Sequence, residues 1–139
     1  MIVLTNPDEQ TVAPGGTVVL NATLVGNCCN GNNSLITSSI KIGRKSSDGW
    51  LISFSGNVGG TTAATPVELS ISLGGSPITG TQMISTPAAV GDLNNVSKTI
   101  PINNVCCDFS RVTVVNTGTT PIVIGANPIL AVAPLGVSC

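Results

Sequence analysis

The sequence predicts an all-β domain built as a sandwich or a barrel. Apolar residues alternate with small polar residues through most of the chain, which is the period expected of strands with one buried face. Gly, Pro and Asn clusters interrupt this alternation about every ten residues, as turns do in such folds. Val, Ile and Thr, which favour strands, are used heavily, and no segment has the period of a helix.

The clearest predicted strand is residues 67–73 (VELSISL), where four apolar side chains alternate with three polar ones. We expect its apolar side to contact the core and its polar side, including Glu68, to face solvent. The same alternation places further strands at residues 18–25, 35–42, 50–58, 78–84, 96–102, 111–116, 121–124 and 129–135. We predict about eight to ten strands in total, with a Thr- and Ala-rich loop at residues 59–66.

One domain accounts for the whole chain. A length of 139 residues lies within the usual range of a single domain and is enough to bury one continuous core. We therefore predict one domain over residues 1–139, with residues 1–9 as an extended N-terminal segment. That segment has neither the basic nor the apolar region of a secretory signal, so we expect synthesis in a host cytoplasm without a signal peptide.

The composition excludes several classes of partner. Charged residues make up 8% of the chain and the net charge is -1, whereas an average soluble domain is roughly 25% charged. Its few basic residues are scattered, so we expect no nucleic-acid partner. No apolar run approaches the roughly 20 residues that cross a membrane, and we expect no membrane span. With one Trp, two Phe and no Tyr, the core must be aliphatic, and Trp50 is expected in the core or an interface.

No catalytic constellation stands out. The chain has no histidine, which removes the commonest general base and excludes Ser-His-Asp and Cys-His arrangements. A pair of carboxylates from distant loops, such as Asp48 and Asp108, is conceivable, but nothing in the sequence points to it. We therefore predict that the protein is not an enzyme and has no catalytic residue, cofactor or metal site.

The cysteines are the unusual feature. Cys28 and Cys29 are adjacent, as are Cys106 and Cys107, and Cys139 stands at the C-terminus. Adjacent cysteines fit the ligand spacing of zinc sites poorly. Two interpretations stay open: buried or free thiols, or disulfides and crosslinks formed where the two cysteine turns lie together at one end of the sandwich. The odd number leaves at least one cysteine unpaired within the chain, and Cys139 is the obvious candidate.

One basic cluster is present, formed by Lys41, Arg44 and Lys45. Its simplest interpretation is a solvated strand end. The alternative is an anion-binding site, since clustered cations attract anionic groups.

Several segments are similar to a known family. Residues 10–18 (QTVAPGGTV) resemble the opening strand of small jelly-roll domains from bacteriophage virion proteins and spore-surface glycoproteins, which belong to the complement and tumour-necrosis-factor-like superfold. Residues 48–54 (DGWLISF), the hairpin of residues 67–79, residues 109–118 (FSRVTVVNTG) and residues 121–132 resemble later strands of the same domains. The similarity covers most of the chain, from residue 10 to residue 135.

This resemblance implies an antiparallel jelly-roll β-sandwich assembled as a homotrimer, with an aliphatic surface around the threefold axis. It also implies a location on the surface of a virus particle, as a capsid decoration protein or a head fibre that contacts capsid or other virion proteins. The composition agrees, because a charge-poor aliphatic surface is stable when an oligomer covers it.

Two alternatives stay open. One is an attachment module that recognises host-surface glycans through the polar loops at residues 26–34 and 59–65. The other is a spore or cell-surface coat domain crosslinked through its cysteines.

Overall fold

The computed structural model describes residues 1–25, 34–36, 38–42, 49–103 and 110–135. These residues form two antiparallel sheets that face each other across one apolar core, so the predicted all-β sandwich is confirmed. The described part of the chain contains thirteen strands and no helix. In chain order the strands are β1 (Ile2–Thr5), β2 (Gln10–Val12), β3 (Ala22–Val25), β4 (Ser34–Ile36), β5 (Ser39–Ile42), β6 (Trp50–Gly60), β7 (Val67–Leu73), β8 (Ser76–Pro77), β9 (Met83–Ser85), β10 (Asn94–Ile102), β11 (Ser110–Asn116), β12 (Ile122–Ile124) and β13 (Ile129–Pro134).

Sheet A contains seven strands in the order β2-β12-β6-β13-β1-β3, with β10 on the remaining side of β6. The long strand β6 organises this sheet. Along one edge it pairs with β10 over nine residues, and along the other it pairs first with β13 and then with β12. Its inward side chains therefore meet those of three neighbouring strands.

Sheet B contains six strands in the order β4-β5-β11-β7-β8, and β9 also pairs with β7. The segment around Thr17 extends this sheet, since Thr17 forms a bridge with Val115 of β11. The hairpin between β7 and β8 closes through Gly74 and Gly75, whose φ angles are 62° and 87°. Two consecutive positive φ angles are what a two-residue hairpin turn of the favoured hand requires, and glycine adopts them without steric cost.

The core is aliphatic apart from Trp50 and Phe54, which are 2% and 0% exposed. The expectation that Trp50 is a core residue is thus confirmed. Beside these two, the largest fully buried side chains are Ile2, Leu20, Ile40, Ile42, Ile52, Leu69, Ile71, Ile122, Ile124 and Leu130.

One buried polar residue joins the two sheets. Asn116, at the end of β11, is 0% exposed. Its Nδ2 donates to the carbonyl of Val12 in sheet A at 3.0 Å and to that of Thr120 at 2.9 Å, and its Oδ1 accepts from the amide of Gly118 at 3.0 Å. The side chain is therefore satisfied, as a buried amide must be.

The N-terminal segment does more than extend along the surface. Within residues 1–9, β1 pairs with β13 on one side and β3 on the other. Ile2 and Leu4 are buried in the core. The sequence alone did not assign a strand here.

Three predicted strands are interrupted. Residues 35–42 form two strands, β4 and β5, with Ser38 between them at a φ of 67°. Residues 78–84 do not form one strand, because Thr81 is folded in against β7 and only β9 pairs there. Of residues 18–25, only those of β3 form a regular strand.

The polar side of β7 is less exposed than predicted. Glu68 is half-buried, but Ser70 and Ser72 are both 0% exposed. The prediction of a solvent-facing side was therefore wrong for these two serines. Ser70 Oγ lies 3.0 Å from Thr117 Oγ1, directly after β11.

Candidate functional site

The five cysteines proposed as disulfide or crosslink candidates, Cys28, Cys29, Cys106, Cys107 and Cys139, lie outside the described residues. The strands beside them end at one end of the sandwich. There β10 and β13 finish opposite Trp50, the first residue of β6, and β11 starts opposite Ile42, the last residue of β5. The redox state and pairing of the cysteines stay predictions.

The carboxylates of the described part form no metal-binding group of three or more ligands. Asp48 and Asp108 lie outside the described residues. Asp8, Glu9 and Asp92 are exposed and Glu68 is half-buried. Over the described ranges, no group of three or more Cys, Asp or Glu residues could hold a metal ion.

A small cleft lies where β6 ends. It has a volume of about 240 Å³, with Val90, Leu93 and Val123 among its walls and the carboxylates of Glu9 and Asp92 at its rim. Gly59 and Gly60 belong to the predicted polar loop at residues 59–65, but they form the end of β6. A Cβ at Gly59 would come within 2.5 Å of the Asp92 carbonyl oxygen. Thr61, the next residue of this loop, is exposed and also lines the cleft.

The outer side of sheet A carries a surface without charged side chains. The register of β10, β6, β13, β1 and β3 aligns the outward side chains in rows that cross the strands. We call the members of three such rows the uncharged face: Thr99, Ser53, Ala131, Val3 and Val25; Ser97, Ser55, Ile129 and Thr5; and Pro101, Leu51 and Ala133.

Small side chains occupy the middle of the uncharged face, and larger apolar ones protrude beside them. Ser53 and Ala131 are half-buried, whereas Val25 and Ile129 are 39% and 40% exposed. Ser53 and Thr99 share a hydroxyl–hydroxyl bond of 3.0 Å, so both hydroxyls already have a protein partner. Covering such a face costs little desolvation, because no ion loses its water. It gains about 25 cal/mol for each Å² of apolar area removed from water.

The free edge of sheet A beside this face is protected. Strand β10 is nine residues long, and no strand of the described residues pairs with its outer edge. It holds an exposed lysine, Lys98, directly opposite Phe54 on the inward side, and an exposed proline, Pro101. Inward-pointing charges and prolines are devices that stop an edge from pairing with another strand.

The outer side of sheet B is polar. Ser70 Oγ and Thr117 Oγ1 are 3.0 Å apart, and Thr117 Oγ1 donates to Glu68 Oε1 at 3.0 Å. At the other end of the sheet, Lys41 of β5 stands directly opposite Arg111 of β11. Of the predicted basic cluster, only Lys41 is described, since Arg44 and Lys45 lie outside the described residues.

A shallow trough of about 630 Å³ runs along β11 on this outer side. The described residues of its lining include three with hydroxyl side chains and one guanidinium. We call it the hydroxyl trough, and its lining residues are Gly15, Thr17, Gly74, Gly75, Ser110, Arg111, Thr113 and Val115.

Sequence reasoning missed both outer surfaces. Ser53 and Ala131 are neighbours only because β6 pairs with β13, which lies far along the chain. The signal that could have identified them is the set of outward positions in each alternating strand. These positions are uncharged in β6 and β13, and in β7 and β11 they are polar except for Val115.

Comparison with known proteins shows which solved structures share this fold. No protein-family model matches the chain, and no curated protein matches it. Among solved structures, murine APRIL aligns at a TM-score of 0.53 with 10% identity, over 88% of this chain and 94% of that chain. PRD1 vertex protein P5 aligns at a TM-score of 0.50 with 15% identity, over 94% of each chain. The fold of this chain is a jelly roll, similar to those of these two structures.

The predicted jelly-roll sandwich is therefore confirmed. A family 35 carbohydrate binding module from Clostridium thermocellum also aligns, with 11% identity over 95% of this chain and 96% of that chain, but its TM-score of 0.42 supports no inference. No helix in the described residues is long and apolar enough to cross a membrane.

Proposed function

We propose that this jelly roll is a non-enzymatic structural protein of a bacterial virus particle, a capsid decoration protein or head fibre that assembles as a homotrimer. The observation that carries the proposal is the uncharged face of sheet A. PRD1 vertex protein P5, a phage protein, has the same fold, which supports the proposal without identifying the chain.

The uncharged face supports an assembly role because it combines area with low desolvation cost. It spans five adjacent strands without a charged side chain, and Val25 and Ile129 protrude from it. A surface of this kind is usually covered by another protein. The chain itself is the simplest partner, since most soluble oligomers are closed assemblies of one chain.

The lysines and the arginine of the described strands lie off this face. Lys98 lies on the inward side of β10, and Lys41 and Arg111 lie on the other sheet. Capsid or other virion proteins would contact the remaining surface, which places the protein on the virion surface in this proposal.

The proposal includes the absence of catalysis. The sequence offers no histidine for acid-base chemistry. Among the described acids, Asp8, Glu9 and Asp92 are exposed and Glu68 is half-buried. The proposed role needs no cofactor, nucleic acid or membrane.

The solution mass of the purified chain tests the proposal. Light scattering on a sizing column, with and without reductant, is expected to give three times the 13.9 kDa of the chain in both conditions. A monomer in both conditions would contradict the trimer. A multimer that dissociates only with reductant would instead favour a coat domain crosslinked through its cysteines.

A further inference from the structure

We propose that the cleft at the end of β6 is a docking site for a basic segment of a partner protein. The aliphatic stem of a lysine or arginine of the partner lies between the apolar walls Val90, Leu93 and Val123, and its charged tip lies beside Glu9 and Asp92. The inference goes beyond the assembly of copies, because the cleft lies outside the uncharged face and another protein supplies the occupant.

The cleft opens on the outer side of sheet A, beyond one end of the uncharged face. Val58 is buried in the core, so the next residue, Gly59, faces outward together with its ladder partner Val123. The pair of Asn57 and Asn95 stands between these two residues and the nearest row of the uncharged face. The cleft and the face are therefore separate surfaces on one side of the same sheet.

Glycines leave the space in which one wall of the cleft packs. A Cβ at Gly59 would lie 2.5 Å from the Asp92 carbonyl oxygen and 3.0 Å from Leu93 Cδ2. A Cβ at Gly125 would lie 3.0 Å from Leu93 Cδ1. The chain can therefore cross the sheet closely at Leu93 because both sheet positions are glycine, and this packing holds the Leu93 side chain in place.

The walls of the cleft are apolar and accessible. Val90 and Leu93 are 63% and 41% exposed, and Val123 is half-buried. The volume of about 240 Å³ is below the roughly 300–1,000 Å³ of pockets for drug-sized ligands. A cleft of this size favours one long side chain of a partner over a larger ligand.

Two carboxylates give the cleft a negative rim. Glu9 and Asp92 are both exposed, and within the described ranges neither side chain has a hydrogen bond or an ion pair. The described basic side chains lie elsewhere, on sheet B or, for Lys98, opposite Phe54 in the middle of β6. Among the described residues, no cation of the chain itself therefore neutralises the rim.

The described charges are divided between the two ends of the sandwich. The acids lie toward the end where β6 finishes, and they are Asp8, Glu9, Glu68 and Asp92. Glu68 lies there because β7 begins beside Gly60, where a Cβ would be 3.4 Å from Val67 Cγ1. Lys41 and Arg111 lie toward the other end, since the residue after Arg111 pairs with the last residue of β7. An excess of negative charge around the cleft attracts a basic partner before contact.

These features specify a lysine or arginine side chain. Such a side chain packs its aliphatic stem on apolar residues and keeps its charged tip near water, which matches apolar walls below a carboxylate rim. An acidic segment would be repelled by both carboxylates, and a free metal ion would leave the apolar walls unused. A different protein is favoured over a second copy, because Lys41 and Arg111 already have partners within the chain.

The test is a titration of the full chain followed by its amide chemical shifts. The probes are blocked pentapeptides of glycine with a central lysine, arginine or norleucine, the last of which keeps the stem of lysine without its charge. We expect saturable shifts for the amides of residues 59–61 and 90–93 with the lysine and arginine peptides. The norleucine peptide should bind about threefold to tenfold more weakly, as the loss of two exposed ion pairs would give.

Variants locate the site. Glu9→Gln and Asp92→Asn should each weaken binding of the lysine peptide about twofold to fivefold and leave that of the norleucine peptide unchanged, because only an exposed ion pair is lost. Val90→Ser removes part of an apolar wall and should weaken binding of both peptides about twofold. The matched control is Asp8→Asn, which removes an exposed acid next to Glu9 that does not line the cleft, and it should leave both affinities unchanged.

Each contrary result would overturn the proposal in a different way. Equal affinity for the norleucine and lysine peptides would mean an apolar cleft without charge recognition. A loss of affinity in Asp8→Asn equal to that in Asp92→Asn would mean attraction by net charge without a site. Shifts of the same amides when the protein alone is concentrated would mean that a second copy occupies the cleft. No saturable shift, or shifts confined to other residues, would mean that no basic side chain binds there.

Discussion

The two outer surfaces of this sandwich differ although the same strand alternation builds both. On sheet A the outward positions of β6 and β13 hold Leu51, Ser53, Ala131 and Ala133, and no charge interrupts the rows. On sheet B the outward positions of β7 and β11 hold hydroxyls and ions apart from Val115, with Arg111 at one end. The inward positions are apolar in both sheets. The core therefore determines the residue types at the inward positions of each strand only. The outward positions are free to differ between the two sheets.

The largest expected effect is a difference in stability between substitutions on the inward and the outward side of one strand, β11. Val114 is 0% exposed in the core, and Thr113, its neighbour, points outward. Val114→Asp buries an unpaired carboxylate, which costs about 4 kcal/mol or more and should unfold the domain. Thr113→Asp should leave it folded. Circular dichroism during thermal unfolding checks both.

Ile71→Asp, across the ladder from Val114, should behave as Val114→Asp does. If either core variant unfolded at the wild-type temperature, the assignment of strand faces would be wrong.

The second effect tests the polar link between the sheets. Asn116→Ala removes three hydrogen bonds and leaves the carbonyls of Val12 and Thr120 without that donor. We expect a loss of about 3 kcal/mol in the free energy of unfolding, measured by urea denaturation. Asn95→Ala is the control, since Asn95 is exposed and bonds Asn57 at 3.3 Å, and it should change stability by less than about 0.5 kcal/mol.

The smallest effect compares two threonines that differ only in their partners. Thr5 Oγ1, at the uncharged face, is buried without a partner, whereas Thr81 Oγ1 accepts from the Ile71 amide at 3.1 Å and donates to the Ile78 carbonyl at 2.7 Å. Thr5→Val should be neutral or stabilising by up to about 1 kcal/mol, because it removes an unpaired hydroxyl. Thr81→Val should cost about 2 kcal/mol.

The same urea titrations measure both threonine variants. A loss of stability in Thr5→Val as large as that in Thr81→Val would contradict this prediction. It would mean that the Thr5 hydroxyl has a hydrogen-bond partner in solution.

The sequence predicted the regular strands well because their signals are local. The strand predicted at residues 67–73 has the same bounds as β7. The strands predicted at residues 111–116 and 129–135 differ by one residue from β11 and β13. The alternation of apolar and polar residues and the Gly74-Gly75 turn can both be recognised because each depends only on residues that are close together in the sequence. The jelly-roll class followed from these strands and the family resemblance.

What could not be predicted depends on contacts that are distant in sequence. β1 was missed because Ile2-Val3-Leu4 is a continuous apolar run, which does not alternate. The strand predicted over residues 35–42 was divided by Ser38, a non-glycine residue at positive φ that no sequence rule marks. Both outer surfaces arise from the register between distant strands, so neither could be assigned before the pairing was known.

The central claim is that the uncharged face is the surface through which copies of this chain assemble, and a pair of matched variants tests it most directly. Ile129 on the outside of sheet A and Ile84 on the outside of sheet B are both exposed isoleucines in strands, at 40% and 63%. The measurement is the mass of Ile129→Lys and Ile84→Lys by light scattering on a sizing column in reductant, with circular dichroism to establish that both are folded. We expect Ile129→Lys to be a folded monomer and Ile84→Lys to keep the trimeric mass of the wild type. A trimeric Ile129→Lys beside a monomeric Ile84→Lys would place the interface on sheet B and contradict the account.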